Sequence, residues 1–98
     1  MMEGLLRRGI ETMSNKVIRV IELQAHPYLA VGHRVYRLDH LILVGTNRTK
    51  LILHFVDGRY EAIIVNKRES TTFRFAKHFR AWLQKKYPVV RARQVDVL

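Results

Sequence analysis

The chain has 98 residues, 18 Lys or Arg against 8 Asp or Glu, a formal net charge of +10 and no cysteine. That length makes one domain with a modest core. The missing cysteine removes a disulfide framework, a thiolate metal site and a cysteine nucleophile, and it suits a reducing compartment. No apolar run approaches the roughly 20 residues of a membrane-crossing helix. No signal peptide is visible, so a cytoplasmic protein with no membrane partner is expected. The charge points to a polyanion, of which nucleic acid is the commonest.

Residues 1–13 carry one short apolar cluster, with Leu5, Leu6 and Ile10 on one side of a short helical pattern and Arg7 and Arg8 opposite. Glu3 and Glu11 argue against a targeting presequence. Met13 is an alternative start, so 1–13 is expected to be a loosely attached arm and 14–98 a single domain. Residues 16–24 read as a strand rich in Val, Ile and Leu, broken at Ala25-His26-Pro27. Residues 28–31 and 34–37 flank Gly32-His33. Gly at the first central position suits a type II′ hairpin turn, and a single strand bulged at Gly32 is the alternative. Residues 39–44 form a short apolar strand, and 45–49 a polar loop.

The most informative stretch is Lys50 to Val65, two apolar-rich runs around Asp57-Gly58. Asp-Gly favours a two-residue type I′ turn because both central residues need positive φ. That turn sets Phe55 against Tyr60, His54 against Glu61 and Leu53 against Ala62. One face is then Leu51, Leu53, Phe55, Tyr60, Ala62 and Ile64, a core face. The other is Lys50, Ile52, His54, Val56, Arg59, Glu61, Ile63 and Val65, a mixed face expected to be partly covered.

Ser70, Thr71 and Thr72 are candidate N-caps of a helix running to about Tyr87, before Pro88. Phe75, Ala76, Phe79, Trp82, Leu83 and Tyr87 share one side of it, and Arg74, Lys77, His78 and Lys85 lie around the rest. Its apolar side should pack on the core face of the main hairpin. Residues 89–98 form a basic tail with a last edge strand through Val95, Val97 and Leu98. The expected fold is α+β: an antiparallel sheet of about five strands with one C-terminal amphipathic helix packed on one face.

Residues 67–98 hold nine basic and two acidic residues, and Thr71 to Val95 holds no acid at all. A solvated helix normally intersperses Glu with its Lys and Arg, so this bias favours phosphate-backbone contacts. The candidate nucleic-acid-binding residues are Lys67, Arg68, Arg74, Lys77, Lys85, Lys86, Arg91 and Arg93. Arg80 belongs to the same basic stretch, and Arg48 and Lys50 extend the surface. Phe73 and Tyr87, at the edges of the helix, are the candidates for stacking on bases, whereas Phe75, Phe79 and Trp82 belong to the core.

The five histidines, His26, His33, His40, His54 and His78, show neither HxH nor HExxH spacing, so no metal site is expected. His54 is expected to pair across the hairpin with Glu61. The interior acids Asp39, Asp57, Glu61 and Glu69 form no convergent set, so no catalytic residue and no cofactor is expected. Strands followed by a helix occur in single-strand nucleic-acid binders and in adaptor modules alike, so architecture alone does not choose. The expected function is non-enzymatic nucleic-acid binding, to DNA or RNA. The alternative is a small protein-interaction module, an inhibitor or assembly component, that pairs through a sheet edge or through Ile52, Val56, Ile63 and Val65, including as a homodimer.

Overall fold

The computed structural model describes residues 16–95. In order they form β1 (Ile18–Leu23), β2 (His26–Val31), β3 (Arg34–Arg37), a 3-10 turn (Leu38–His40), β4 (Leu41–Asn47), β5 (Lys50–Phe55), β6 (Tyr60–Ile64), α1 (Glu69–Lys86) and β7 (Arg93–Val95). The fold is α+β with one C-terminal helix. The single sheet of about five strands is corrected to two sheets, β1-β2-β3 and β6-β5-β4-β7. The division falls at the 3-10 turn. There Asp39 accepts two hydrogen bonds from the Arg37 guanidinium, at 2.9 and 2.7 Å, and the chain changes direction before β3 can pair with β4. The expected arm at 1–13, and Val97 and Leu98 of the expected last strand, lie outside the described residues. Among the described residues no helix is long and apolar enough to cross a membrane.

Short turns join the strands. Gln24 and Ala25 both take positive φ, 52° and 65°, between Leu23 and His26. The break expected around Pro27 is therefore a tight reversal just before it. Pro27 itself is tolerated in β2 because the pairing with β3 begins only at Tyr28. At Gly32-His33 only Gly32 has positive φ, 61°, in a two-residue connection from Val31 to Arg34, the hairpin that its turn chemistry favours. Residues 45–47, expected in a loop, complete β4, and only Arg48-Thr49 separates it from β5.

The main hairpin forms, but its register is one residue away from expectation. The Gly58 N–H donates to the Phe55 carbonyl at 3.0 Å and the Phe55 N–H to the Arg59 carbonyl at 3.0 Å. Val56-Asp57-Gly58 is thus a three-residue loop, with Gly58 alone at positive φ, 87°. This is a type I turn closed by a glycine bulge. His54 then faces Tyr60, Leu53 faces Glu61 and Leu51 faces Ile63. A one-residue slip exchanges the faces of a strand. Tyr60 and Ile64, expected in the core, are 60% and 40% exposed, while Ile63 and Val65, expected on the mixed face, are buried.

One core serves both sheets and the helix. Leu41, Val44, Leu51, Leu53, Phe55 and Ile63 of the four-stranded sheet meet Leu29, Val31 and Tyr36 of the other sheet and Phe75, Ala76, Phe79 and Leu83 of α1. Tyr36 stacks on Phe55, and Phe75 on Phe79. The helix begins one turn earlier than its candidate caps imply, with Arg68 at the N-cap and no side-chain cap. Thr72 is buried instead, and its hydroxyl lies 3.1 Å from the Arg68 carbonyl and 3.3 Å from that of Thr49, which fastens the first turn to the β4–β5 connection. After α1 the chain returns, and β7 pairs parallel to β4, as a helical crossover permits.

Candidate nucleic-acid interface

The helix presents its basic residues in a consistent way. Phe75, Ala76, Phe79 and Leu83 fix its buried side. At 3.6 residues per turn, Arg74, Lys77, Ala81 and Lys85 then fall on the opposite side, and all four are exposed. Arg74 and Lys85 are eleven residues apart, so this stripe runs about 16 Å along the axis. His78 is exposed beside it.

Lys67 and Arg68 are exposed at the entry to the helix. The Asn66 side-chain carbonyl accepts the Arg68 N–H at 3.0 Å and sets the chain's approach there. Lys85 and Lys86 occupy the last turn, where positive charge complements the helix dipole.

Several of the candidates are engaged by neighbouring side chains or by the tail. Lys86 lies over the Trp82 ring, 5.3 Å from its centroid, and 6.0 Å from that of Tyr87. Lys77 reaches the Phe73 ring at 4.9 Å, so its stem is ordered while its side of the helix stays exposed. Phe73 is half-buried, and Tyr87 is half-buried edge-on to Trp82. Both proposed stacking rings are therefore already engaged by neighbours. Arg80 is half-buried and donates from Nε to the Ala92 carbonyl at 2.9 Å, which ties the tail to the helix. Arg91 is exposed on that tail between buried Val90 and Ala92. Arg93 is exposed on β7 beside Leu43. Alternation along the strands puts it on the sheet face away from the core, with Lys50 and His54.

A second charged cluster was not legible in the sequence. Glu61, expected on the mixed face opposite His54, turns toward the core and is 3% exposed. Lys16 Nζ donates to it at 2.7 Å, the Tyr36 hydroxyl donates to its other oxygen, and the Arg34 guanidinium stands 3.9 Å away. Burial pushes this carboxyl up, but the hydrogen bonds from Lys16 and Tyr36 and the charges of Lys16 and Arg34 outweigh it, and Glu61 ends below the ordinary carboxylate range. Burial, and then the bond to Glu61, raise the Tyr36 phenol. The expected His54–Glu61 pair is replaced by a stack of His54 on Tyr60, with centroids 5.7 Å apart. Reading Asp57-Gly58 as part of a three-residue loop was the signal that would have revealed both contacts.

Among the described residues no three of His, Asp and Glu converge as a metal site would require. Comparison with protein-family models, with curated proteins and with solved structures found no match to this chain.

Proposed function

We propose that this protein is a non-enzymatic nucleic-acid-binding domain whose α1 follows a phosphate backbone. The observation that supports this most strongly is the exposed stripe of Arg74, Lys77 and Lys85 within a 25-residue stretch, Thr71 to Val95, that holds no acid. Lys67 and Arg68 extend the stripe at one end. Lys86 and Arg91 add charge near the other. Contacts of this kind recognise charge spacing rather than sequence.

The test is binding of labelled oligonucleotides to the full chain and to the triple variant Arg74→Ala, Lys77→Ala, Lys85→Ala. All three side chains are exposed, so the fold should survive. The variant is expected to lose at least about tenfold in affinity at low salt, uniformly across sequences. Equal affinity of variant and parent removes α1 from the reading.

A further inference from the structure

The β4–β5 turn is fastened to the start of α1. The Thr49 carbonyl accepts the Val65 N–H at 3.1 Å and lies 3.3 Å from the Thr72 hydroxyl, which is itself 3.1 Å from the Arg68 carbonyl. Two segments far apart in sequence therefore meet at one corner of the domain, and that corner holds Arg48, Lys67 and Arg68. All three are exposed, and among the described residues none is in an ion pair. Glu69 is the only acid in the two segments. It begins α1, where it complements the helix dipole, and helical spacing turns it about 140° from Arg74.

Arg48 is held there in a costly backbone conformation. Its φ is 56°, and Arg48-Thr49 is a two-residue connection from Asn47 to Lys50. Positive φ at the first position alone is the pattern of a type II′ turn, which favours glycine there. A cation kept where glycine would cost less is the kind of outlier that collects at binding surfaces. Gln24 and Ala25, the other non-glycine residues at positive φ, carry no charge. Lys50 is close in sequence but differently placed. It pairs with Ile64 and shares strand parity with His54, so it lies on the sheet face away from the core and α1.

The corner continues the helix stripe. Arg68 at the N-cap and Lys85 in the last turn are seventeen residues apart, about 26 Å along the axis. The rings beside this ridge are engaged, Phe73 by Lys77 and Tyr87 by Trp82. Exposed Tyr60 lies at the opposite end of the β5–β6 hairpin from Lys50. Single-strand binders rely on rings on which bases stack, whereas a backbone contact needs only cations set against phosphates.

We infer that the ligand of α1 is a duplex and that Arg48 is one of its phosphate-binding residues, at the corner shared with Lys67 and Arg68. This rests on the proposed function for the class of ligand and deepens it by naming the strand form and a contact outside the helix.

The experiment measures affinity from ~50 to ~200 mM salt for a duplex of about 16 base pairs, roughly twice the ridge at about 3.4 Å per pair, and for one of its strands. It compares the full chain with Arg48→Gly, Arg48→Gln, Lys50→Gln and the helix triple variant. The parent should bind the duplex more tightly than the strand. Arg48→Gly should reduce the steepness of the duplex slope by about 0.9, the share of one phosphate no longer neutralised. It should also raise Tm by about 4–8 °C as the turn relaxes. Arg48→Gln, which leaves the strain in place, should lose the same slope at the parent Tm, so that charge and fold are separated. Lys50→Gln should keep the parent slope.

If both Arg48 variants keep the parent slope while the helix variant loses it, the Arg48 assignment is overturned and the proposed function stands. If the Arg48 variants lose slope while the helix variant does not, the helix reading falls and the corner stands. An equal loss in Lys50→Gln would mean that net charge rather than position is sensed, and would overturn the assignment. A strand bound as tightly as the duplex would overturn the strand form. If the parent binds neither at ~50 mM salt, where phosphate contacts are strongest, both readings fall.

Discussion

The Tyr36 ring lies flat on Phe55, with centroids 4.0 Å apart and planes within 8°, while its hydroxyl donates to the Glu61 carboxylate. One side chain of β3 thereby joins β5 by stacking and β6 by a charge-assisted hydrogen bond. The two sheets, which share no strand pairing among the described residues, are fastened here. Arg59, 4.4 Å from the centroid of the Tyr36 ring, adds a cation–π contact. Tyr36→Phe keeps the stack and removes the donor to a buried carboxylate. It should cost about 1.5–3 kcal/mol, seen as a lower urea midpoint with an unchanged slope. An unmoved midpoint would show that the hydroxyl contributes nothing to the junction.

Glu61 should also give the fold an acid-sensitive limb. Its folded pKa lies below the ordinary carboxylate value. Its contribution is therefore fully present above the unfolded pKa, about 4.3 for Glu, and is lost as pH falls through the lower folded value. Stability of the parent should drop across that window. Glu61→Gln, less stable at neutral pH, should show a flatter curve there. Urea titrations between about pH 3 and 7 compare the two, and parallel curves would exclude Glu61 as the titrating group.

The β1–β2 turn is built from residues ill-suited to it. Gln24 and Ala25 both sit in the left-handed region, which type I′ turns normally fill with Asn and Gly. The double variant Gln24→Asn, Ala25→Gly should therefore stabilise the protein by about 1 kcal/mol, seen as a rise in Tm. A fall in Tm would mean that the turn's side chains make contacts which outweigh the backbone strain.

Gly58 makes the opposite case. At φ 87° it closes the bulge of the main hairpin. A Cβ there meets nothing within 4 Å, so Gly58→Ala should lose about 1 kcal/mol through backbone strain alone, and Gly58→Asn less, since Asn tolerates positive φ better. Equal Tm values for glycine and alanine would contradict the bulge.

That bulge also marks where the sequence stopped being a guide. The strands, the hairpin at Gly32-His33 and the helix face of Phe75, Phe79 and Leu83 follow from local periodicity and turn chemistry. Asp57-Gly58 is compatible with a two-residue and a three-residue loop, and the two differ by one residue of register. Reading it as the shorter loop put Tyr60 inside and sent Glu61 toward His54. The sheet division at Leu38–His40 and the parallel pairing of β7 are long-range outcomes with no local signature. The exposed set Arg74, Lys77 and Lys85 was legible because helical spacing is regular. The charged cluster at Glu61 was not, because Lys16, Arg34 and Tyr36 are distant from it in sequence and only the true register turns Glu61 toward them.

The most direct test of nucleic-acid binding by α1 is the slope of log affinity against log salt, from ~50 to ~200 mM, for a duplex and the full chain, beside the same slope for the Arg74→Ala, Lys77→Ala, Lys85→Ala variant. A steep negative slope for the parent, reduced by about 2 to 3 in the variant at roughly 0.9 for each duplex phosphate neutralised, is the predicted result. Identical slopes, or no binding by the parent at the lowest salt, would contradict it.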